Sequence, residues 1–175
     1  MNNNLLLRDA RHSDREAITN VTLSAYREYA AIMPAHWEDY KQNILTTLAE
    51  VKPAEQIVAE QAGAVVGTVL LYPAGTVLEG PDEREVRLGW PEVRLLAVAP
   101  AARGQGIGAA LMQECIQRAL RAKAAAITLH TTDMMQVAMH MYERMGFGRA
   151  PELDFRPTED VIIKGYRLNL DETAP

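Results

Sequence analysis

A glycine-rich segment carries the strongest chemical signal in this sequence. Residues 103–108 have the sequence Arg-Gly-Gln-Gly-Ile-Gly, between an apolar run closed by Pro100 and a helix-like stretch. Glycines at alternate positions place no Cβ atoms in the way, so successive backbone N–H groups can converge on a phosphate oxygen. The following helix adds unpaired N–H groups and the positive end of its dipole, and Arg103 adds a charge at the rim. The predicted phosphate cradle comprises Arg103, Gly104, Gln105, Gly106, Ile107 and Gly108.

Three kinds of phosphate site compete for this segment. A P-loop requires a lysine and a Ser/Thr hydroxyl after its glycines, but two alanines follow here. A dinucleotide fingerprint is met by Gly104, Gly106 and Ala109. That fingerprint also requires an acidic residue about 20 positions later, where only Asp133 is near. The spacing within the segment leaves the dinucleotide site and a third kind of site open.

The elements that position the cradle are predicted from their hydrophobic patterns. A strand over residues 92–99 has a nearly continuous apolar second half, which suits a central position covered on both faces. Apolar and polar residues in 106–122 recur at helical spacing and fall on opposite faces, which predicts an amphipathic helix. Residues 125–131 are predicted to form the next strand. A strand, helix and strand in this order predict a parallel, right-handed crossover. The cradle occupies the turn between that strand and that helix.

The rest of the chain is predicted to complete a mixed α/β sheet. Further strands are expected at residues 5–7, 55–60, 64–72, 161–170 and near 153–156, and further helices at 14–29 and 37–49. Residues 82–87 are expected to form a solvated loop or a frayed helical turn. A last helix is expected to be capped by Asp133 and stopped by Gly146. Its inward face is expected to comprise Met134, Val137, Ala138, Met141, Tyr142 and Met145.

Composition limits the class of protein. With 175 residues, we expect one domain over 1–175. The net charge of −5 disfavours nucleic acid as a partner. Residues 1–10 resemble neither a signal peptide nor a membrane span, so we expect a cytoplasmic protein that binds no membrane. The single cysteine, Cys115, and the scattered histidines lack metal-ligand spacing, so no metal is expected. The sequence leaves open whether the chain forms a homodimer.

A second motif lies downstream of the cradle. An alanine, a tyrosine and a Gly-Phe pair follow one another with three residues between them, at Ala138, Tyr142 and Gly146-Phe147. This motif, together with a cradle of the form Q/R-x-x-G-x-G/A, resembles the GNAT superfamily of acetyl-CoA-dependent N-acetyltransferases. The likeness extends from about residue 5 to residue 170. It implies a mixed, mostly antiparallel central sheet with a splayed parallel strand pair and helices on both faces.

The resemblance implies acetyl-CoA as cosubstrate. Its pyrophosphate would lie on the N–H groups of residues 103–108, and its pantetheine arm beside Leu96, Ala97 and Val98. Members of the family open a gap beside this strand with a bulge. A backbone N–H near Val98 would then polarise the thioester carbonyl. Many members hold the pantetheine with an asparagine where this chain has Met135.

Two residues are candidates for proton transfer. A lysine-like amine has a pKa near ~10.4 and is protonated at pH 7, so a base must take its proton. Glu92 lies six residues before Val98 on the same strand, hence on the same face, and a glutamate at this place is a base in some family members. The alternative is that Glu92 merely starts the strand at the surface. Tyr142 matches the tyrosine that hydrogen-bonds or protonates the cofactor sulfur, the alternative being a packed core tyrosine.

The acceptor is the least defined part of the site. The resemblance places its wall at residues 26–37 and 154–160, where Tyr29, Met33 and Trp37 would give an aromatic, moderately apolar pocket. His130, at a strand end, is expected to be structural. The implied function is transfer of an acetyl group from acetyl-CoA to a primary amine of a small molecule or peptide, by direct attack in a ternary complex. The alternative is a non-catalytic acyl-CoA-binding sensor domain.

Overall fold

The computed structural model describes residues 5–79 and 84–170. The strands are β1 (Leu5–Asp9), β2 (Glu55–Gln61), β3 (Ala64–Tyr72), β4 (Val77–Glu79), β5 (Glu85–Arg87), β6 (Glu92–Val98), β7 (Ala126–Thr131), β8 (Gly148–Arg149), β9 (Phe155–Thr158) and β10 (Val161–Asn169). The α-helices are α1 (Arg15–Tyr26), α2 (Trp37–Ala49), α3 (Ile107–Arg121) and α4 (Gln136–Arg144). None of the helices in these ranges is both long and apolar enough to cross a membrane.

The chain divides into two compact units, and strand β6 contributes to both. The first comprises Met1–Leu71 with Leu95–Cys115, and the second comprises Tyr72–Arg94 with Ile116–Pro175. In the first unit β1 pairs antiparallel with β2, and β2 pairs antiparallel with β3 through a two-residue turn. Its buried apolar residues include Ile18, Ile44, Leu48, Ile57, Val69, Leu70 and Leu111.

The second unit contains the parallel strand pair. The first half of β6 pairs parallel with β7 at Glu92↔Thr128 and Val93↔Leu129. Strand β10 pairs antiparallel with β7, β8 and β9, and β4 and β5 form a separate antiparallel ribbon. The predicted α/β class, with a mostly antiparallel sheet and one parallel pair, is confirmed. The helix predicted over residues 106–122 is found at Ile107–Arg121.

Four local expectations are wrong. The first helix, expected to reach residue 29, ends at Tyr26 and is followed by a 3-10 helix, Arg27–Ala31. Residues 85–87 pair with β4 as a strand, whereas 80–83 lie outside the described residues. Helix α4 begins at Gln136 after a cap at Met135, because the carboxylate of Asp133 pairs with Lys164 instead of capping the helix. Val137 therefore falls in the first turn and is 87% exposed, not inward-facing.

Gly165 on β10 lies where the turn Pro151–Leu153 approaches the strand most closely. The Ala150 N–H donates to the Gly165 carbonyl at 2.9 Å, and the Gly165 N–H donates to Asp154 Oδ1 at 2.8 Å. A Cβ on Gly165 would lie 2.9 Å from the Ala150 oxygen and would overlap Leu153. The turn therefore depends on the absence of a side chain at this position.

Gly165→Ala should accordingly lower the free energy of unfolding by roughly 1–3 kcal/mol, because either the strand or the turn must shift. Gly148→Ala is the matched control, since no heavy atom lies within 4 Å of the Cβ it would add. Urea unfolding of both variants measures the difference. Equal destabilisation by the two substitutions would contradict the proposed overlap.

Candidate active site

The predicted cradle has the backbone geometry that its glycines permit. Gly104 and Gly106 have φ of +75° and +77°, in the left-handed region that glycine favours. No heavy atom lies within 4 Å of the Cβ that either residue lacks, and the whole run from Arg103 to Gly106 is exposed. The open space at these two positions fits a phosphate group that contacts backbone N–H groups.

Helix α3 begins directly after this run. The Ala110 N–H donates to the Gly106 carbonyl at 2.9 Å, which closes the first turn of the helix. By helix geometry, the N–H groups ahead of Ala110 have no acceptor within the helix. These donors and the positive end of the dipole favour an anion beside residues 104–108.

Arg103 is engaged more fully than its motif position suggests. Its guanidinium donates to Glu28 Oε2 at 2.8 Å and to the Ala25 carbonyl at 2.9 Å. Its backbone N–H donates to the Pro100 carbonyl at 3.3 Å. The Arg103 and Glu28 side chains are 42% and 50% exposed, so the pair contributes less than about 1 kcal/mol. Arg103 therefore ties the cradle to the end of α1, and Glu28 partly neutralises the charge expected at the rim.

Gly67 on β3 lies against the first turn of α3, next to the cradle, and was not among the residues predicted for the site. A Cβ on Gly67 in β3 would lie 3.0 Å from both Ile107 Cγ2 and Leu111 Cδ1, and 3.3 Å from the Ala97 oxygen. The missing side chain lets the first turn of α3 approach β3 closely. An isolated glycine inside a strand pattern is the available signal, because it marks a close backbone approach.

Strand β6 is interrupted at Leu95, which has φ of +49°. The parallel pairing with β7 covers Glu92 and Val93, ahead of this residue. After it, the Leu96 carbonyl accepts from the Tyr26 hydroxyl at 3.2 Å. The left-handed residue breaks the alternation of side chains along the strand. The six-residue spacing of Glu92 and Val98 therefore no longer implies that the two share a face.

Glu92 begins β6 as expected, but its side chain is only 3% exposed, which excludes the surface interpretation. Arg94 Nε donates to Glu92 Oε1 at 2.7 Å, and His130 Nδ1 lies 3.4 Å from Glu92 Oε2. Burial raises the pKa of Glu92, but the contacts with His130 and Arg94 outweigh burial. The net effect lowers this pKa below its ordinary value of 4.5.

His130 faces two acceptors. Its Nε2 lies 2.9 Å from the Leu153 carbonyl oxygen, and because a carbonyl only accepts, Nε2 carries a hydrogen. Its Nδ1 faces the Glu92 carboxylate, and the ring meets Phe155 edge-on at 5.3 Å. Burial lowers the pKa of His130, whereas Glu92 raises it further, so the net shift is upward from 6.5. The doubly protonated ring satisfies both acceptors.

Tyr142 is held by the motif that contains it. It is 7% exposed on α4, and its ring centroid lies 6.1 Å from that of Phe147. Gly146, with φ of +93°, ends the helix in a left-handed conformation. The chain then turns back so that the Phe147 N–H donates to the Tyr142 carbonyl at 3.1 Å. Gly146 and Phe147 thus end the helix and, through these contacts, hold Tyr142 in place.

Two of the predicted acceptor residues, Tyr29 and Trp37, belong to an aromatic cluster in the first unit. Tyr26 packs against Tyr29 and Tyr40 with centroids 5.9 and 6.0 Å apart, and Trp37 packs against Tyr40 at 6.4 Å. Tyr29, Met33 and Trp37 are each partly exposed. The Met33 N–H donates to the Tyr29 carbonyl at 2.9 Å. Tyr40 on α2 contacts both Tyr26 and Trp37 and so joins the two parts of this cluster.

The sequence matches the acetyltransferase (GNAT) family over residues 22–147. This chain belongs to the GNAT family. The matched range contains the cradle, Glu92 and Tyr142, and the resemblance inferred from the two motifs is confirmed. The family assignment thus rests on the same segment that holds these features.

Similar proteins include acetyltransferases of two organisms. The chain is 37% identical over 94 residues to a probable N-acetyltransferase family 8 member 5 of Mus musculus, covering 53% of this chain and 37% of that protein. It is 32% identical over 111 residues to a mycothiol acetyltransferase of Parafrankia sp., covering 59% and 34%. The chain thus matches about a third of the length of these relatives.

Solved structures show the same fold. A GNAT family acetyltransferase from Brucella melitensis, crystallised with acetyl-CoA, aligns with a TM-score of 0.59 at 24% sequence identity. The alignment covers 99% of this chain and 90% of that one. The likeness therefore extends over the whole fold of this GNAT chain.

The Glu92–His130 pair should stabilise the protein within a pH window. The lowered pKa of Glu92 gives a contribution present above pH 4.5, which is lost as the pH falls through the folded value. The raised pKa of His130 gives a contribution present below pH 6.5, which is lost as the pH rises through its folded value. Stabilisation by the pair is therefore greatest between pH 4.5 and 6.5.

Urea unfolding of the wild type and His130→Gln from about pH 5 to about pH 9 tests this window. The difference in free energy of unfolding should be largest near the acidic end and shrink as the pH rises. His140→Gln, at an exposed position on α4, controls for the substitution itself. A difference that does not change with pH would contradict the pairing.

Proposed function

We propose that this GNAT protein transfers an acetyl group from acetyl-CoA to a primary amine of a small molecule or peptide, with both substrates bound at once. The observation that carries the proposal is the cradle at residues 103–108, whose run from Arg103 to Gly106 is exposed. Its two left-handed glycines leave open space directly before the N-terminus of α3. Such a backbone surface suits a pyrophosphate, which the family's cosubstrate contains.

The chain's own backbone supplies the cofactor contacts. Gly104, Gly106, Ile107 and Gly108 would bind the pyrophosphate through N–H groups, with Gln105 and Arg103 completing the cradle. Leu96, Ala97 and Val98 would pair with the amides of the pantetheine arm, as an added strand does. Acetyl-CoA, when bound, supplies an acetyl group that is activated as a thioester.

Tyr142 and Glu92 divide the proton transfers in this proposal. The Tyr142 hydroxyl donates a proton to the sulfur that leaves, which avoids release of a free thiolate. Glu92 accepts the proton that the amine loses. Because the Glu92 side chain is 3% exposed, that proton reaches it through an intervening water.

The aromatic cluster is proposed to receive the acceptor. Tyr29, Met33 and Trp37 present partly exposed, mostly apolar surface, which suits an acceptor with an apolar body beside its amine. The names of relatives support nitrogen as the acceptor atom, since the mouse protein is a probable N-acetyltransferase. One observation favours a non-catalytic acyl-CoA sensor as the second candidate. Both Glu92 oxygens already face cationic partners.

Gly106→Ala should weaken acetyl-CoA binding about tenfold or more, because a methyl group would enter the space proposed for the pyrophosphate. Gly63→Ala is a closely matched control. Gly63 has φ of +80° and equally open surroundings, but it lies in the turn between β2 and β3. Both variants should lose similar stability, whereas isothermal titration should show weaker binding only in Gly106→Ala. Equal affinity in the two variants would place the pyrophosphate elsewhere.

Thiol release from acetyl-CoA over a panel of amines tests the function directly. Tyr142→Phe should lower kcat about 100-fold or more while leaving the Kd for acetyl-CoA nearly unchanged, because only the proton donor is removed. Tyr166→Phe, which removes a hydroxyl from another buried tyrosine in the same unit, should retain activity. Glu92→Gln should also lower kcat. Acetyl-CoA binding without thiol release on any amine would support the sensor and contradict the enzyme.

A further inference from the structure

We propose that His130 stores, by way of Glu92, the proton that the acceptor amine loses, so that the Glu92–His130 pair acts as the base. The inference rests on the proposed function, in which an amine is acetylated. His130 does not touch the amine, so it is a positioning residue. Its role goes beyond the structural one that its place at a strand end predicts.

Glu92 by itself is poorly suited to hold a proton near neutral pH. Arg94 donates to one of its oxygens at 2.7 Å, and His130 lies 3.4 Å from the other. Both neighbours stabilise the carboxylate, and they lower its pKa despite burial. A base of such low proton affinity passes a proton on more readily than it keeps one.

His130 offers the matching proton site. The Leu153 carbonyl fixes the hydrogen of Nε2, which leaves Nδ1 as the nitrogen that can gain or lose a proton. The Nδ1 atom is buried and lies 3.4 Å from Glu92 Oε2. A proton that arrives on Glu92 therefore has an acceptor directly beside it.

The imidazole ring is held in this orientation by the turn Pro151–Leu153, which is itself fixed by Asp154. Arg149 binds both oxygens of Asp154, at 3.0 and 2.8 Å, and the Gly165 N–H donates to the same carboxylate. These bonds fix the turn that presents the Leu153 carbonyl. The charged groups that face His130 are Glu92 and Arg94 on β6 and Asp154 after the turn. The two carboxylates favour a protonated ring, whereas Arg94 opposes it.

The transfer starts from the pair as it exists above the raised pKa of His130, with Glu92 ionised and His130 neutral, its hydrogen on Nε2. An N–H bond of the ammonium group breaks, the electron pair stays on nitrogen, and the proton passes through water to Glu92. It then moves from Glu92 to Nδ1 of His130. The pair gains one proton and one positive charge, and the amine becomes neutral.

An NMR titration tests the coupling without any need for activity. The His130 imidazole signal, assigned by its loss in His130→Asn, should titrate at a pH above 6.5 in the wild type. Glu92→Gln should move that titration to lower pH, because the carboxylate that favours the imidazolium is gone. The other three histidines serve as internal references. An unchanged His130 titration in Glu92→Gln would overturn the proposal.

The pH dependence of kcat/KM tests the proton store itself, with benzylamine and the less basic trifluoroethylamine as probes. An acidic limb that is the same for both amines belongs to the enzyme, since a limb set by the amine would move. His130→Asn keeps an amide near the position of Nδ1 that can donate to Glu92, but this amide does not titrate. The shared limb should vanish in this variant, and the plateau should fall about tenfold.

The outcomes separate this inference from the proposed function. If His130→Asn keeps both the wild-type plateau of kcat/KM and the acidic limb of its pH profile, His130 only holds Glu92 in place. That result would overturn the proposed proton storage but not the proposed function. A wild type that acetylates neither amine would overturn the proposed function and this inference with it. His140→Asn should leave the profile unchanged, because that residue lies at an exposed position on α4.

Discussion

Strand β6 has different partners along its length, and one left-handed residue separates them. Ahead of Leu95 the strand pairs with β7, whereas after it the Leu96 carbonyl accepts from Tyr26 and the Ala99 N–H donates to Val66. A left-handed conformation costs a residue other than glycine about 1–2 kcal/mol. It persists only where the surrounding contacts determine it. The two parts of the strand can then carry different chemistry, a buried carboxylate at the start and backbone that leads into the cradle at the end.

The buried carboxylate at the start of β6 requires compensation. An unpaired charge at the position of Glu92 would cost several kcal/mol, and Arg94 and His130 offset that cost. The Arg94 side chain remains 38% exposed and stacks over the Tyr72 ring at 5.6 Å, so its charge stays partly solvated. A buried pair of this kind gives little net stability, because desolvation opposes the attraction. Its larger effect is on the proton affinities of Glu92 and His130, which move apart.

The features predicted from the sequence are those with a regular local pattern. Helix α3 has strong amphipathic spacing, and the cradle and the Tyr142 motif are short segments whose glycines have specific backbone roles. The contacts that define the site join distant residues instead. Arg103 pairs with Glu28, 75 positions away, and nothing in either local sequence indicates it. No glycine in the sequence marks the left-handed conformation at Leu95. The prediction that Glu92 and Val98 share a face therefore assumed a regular alternation of side chains, which the strand does not keep.

The cradle and the buried pair differ in how they respond to pH, and this difference follows from their composition. Backbone N–H groups do not titrate, and Arg103, the charged residue of the cradle, is already bound to Glu28. The anion binding proposed for the cradle therefore depends on backbone geometry and the α3 dipole, which are constant near neutral pH. The Glu92–His130 pair responds to pH because each partner shifts the other's pKa. The pH dependence that the Glu92–His130 pair imposes on acetyl transfer should thus be separate from the affinity for the cofactor.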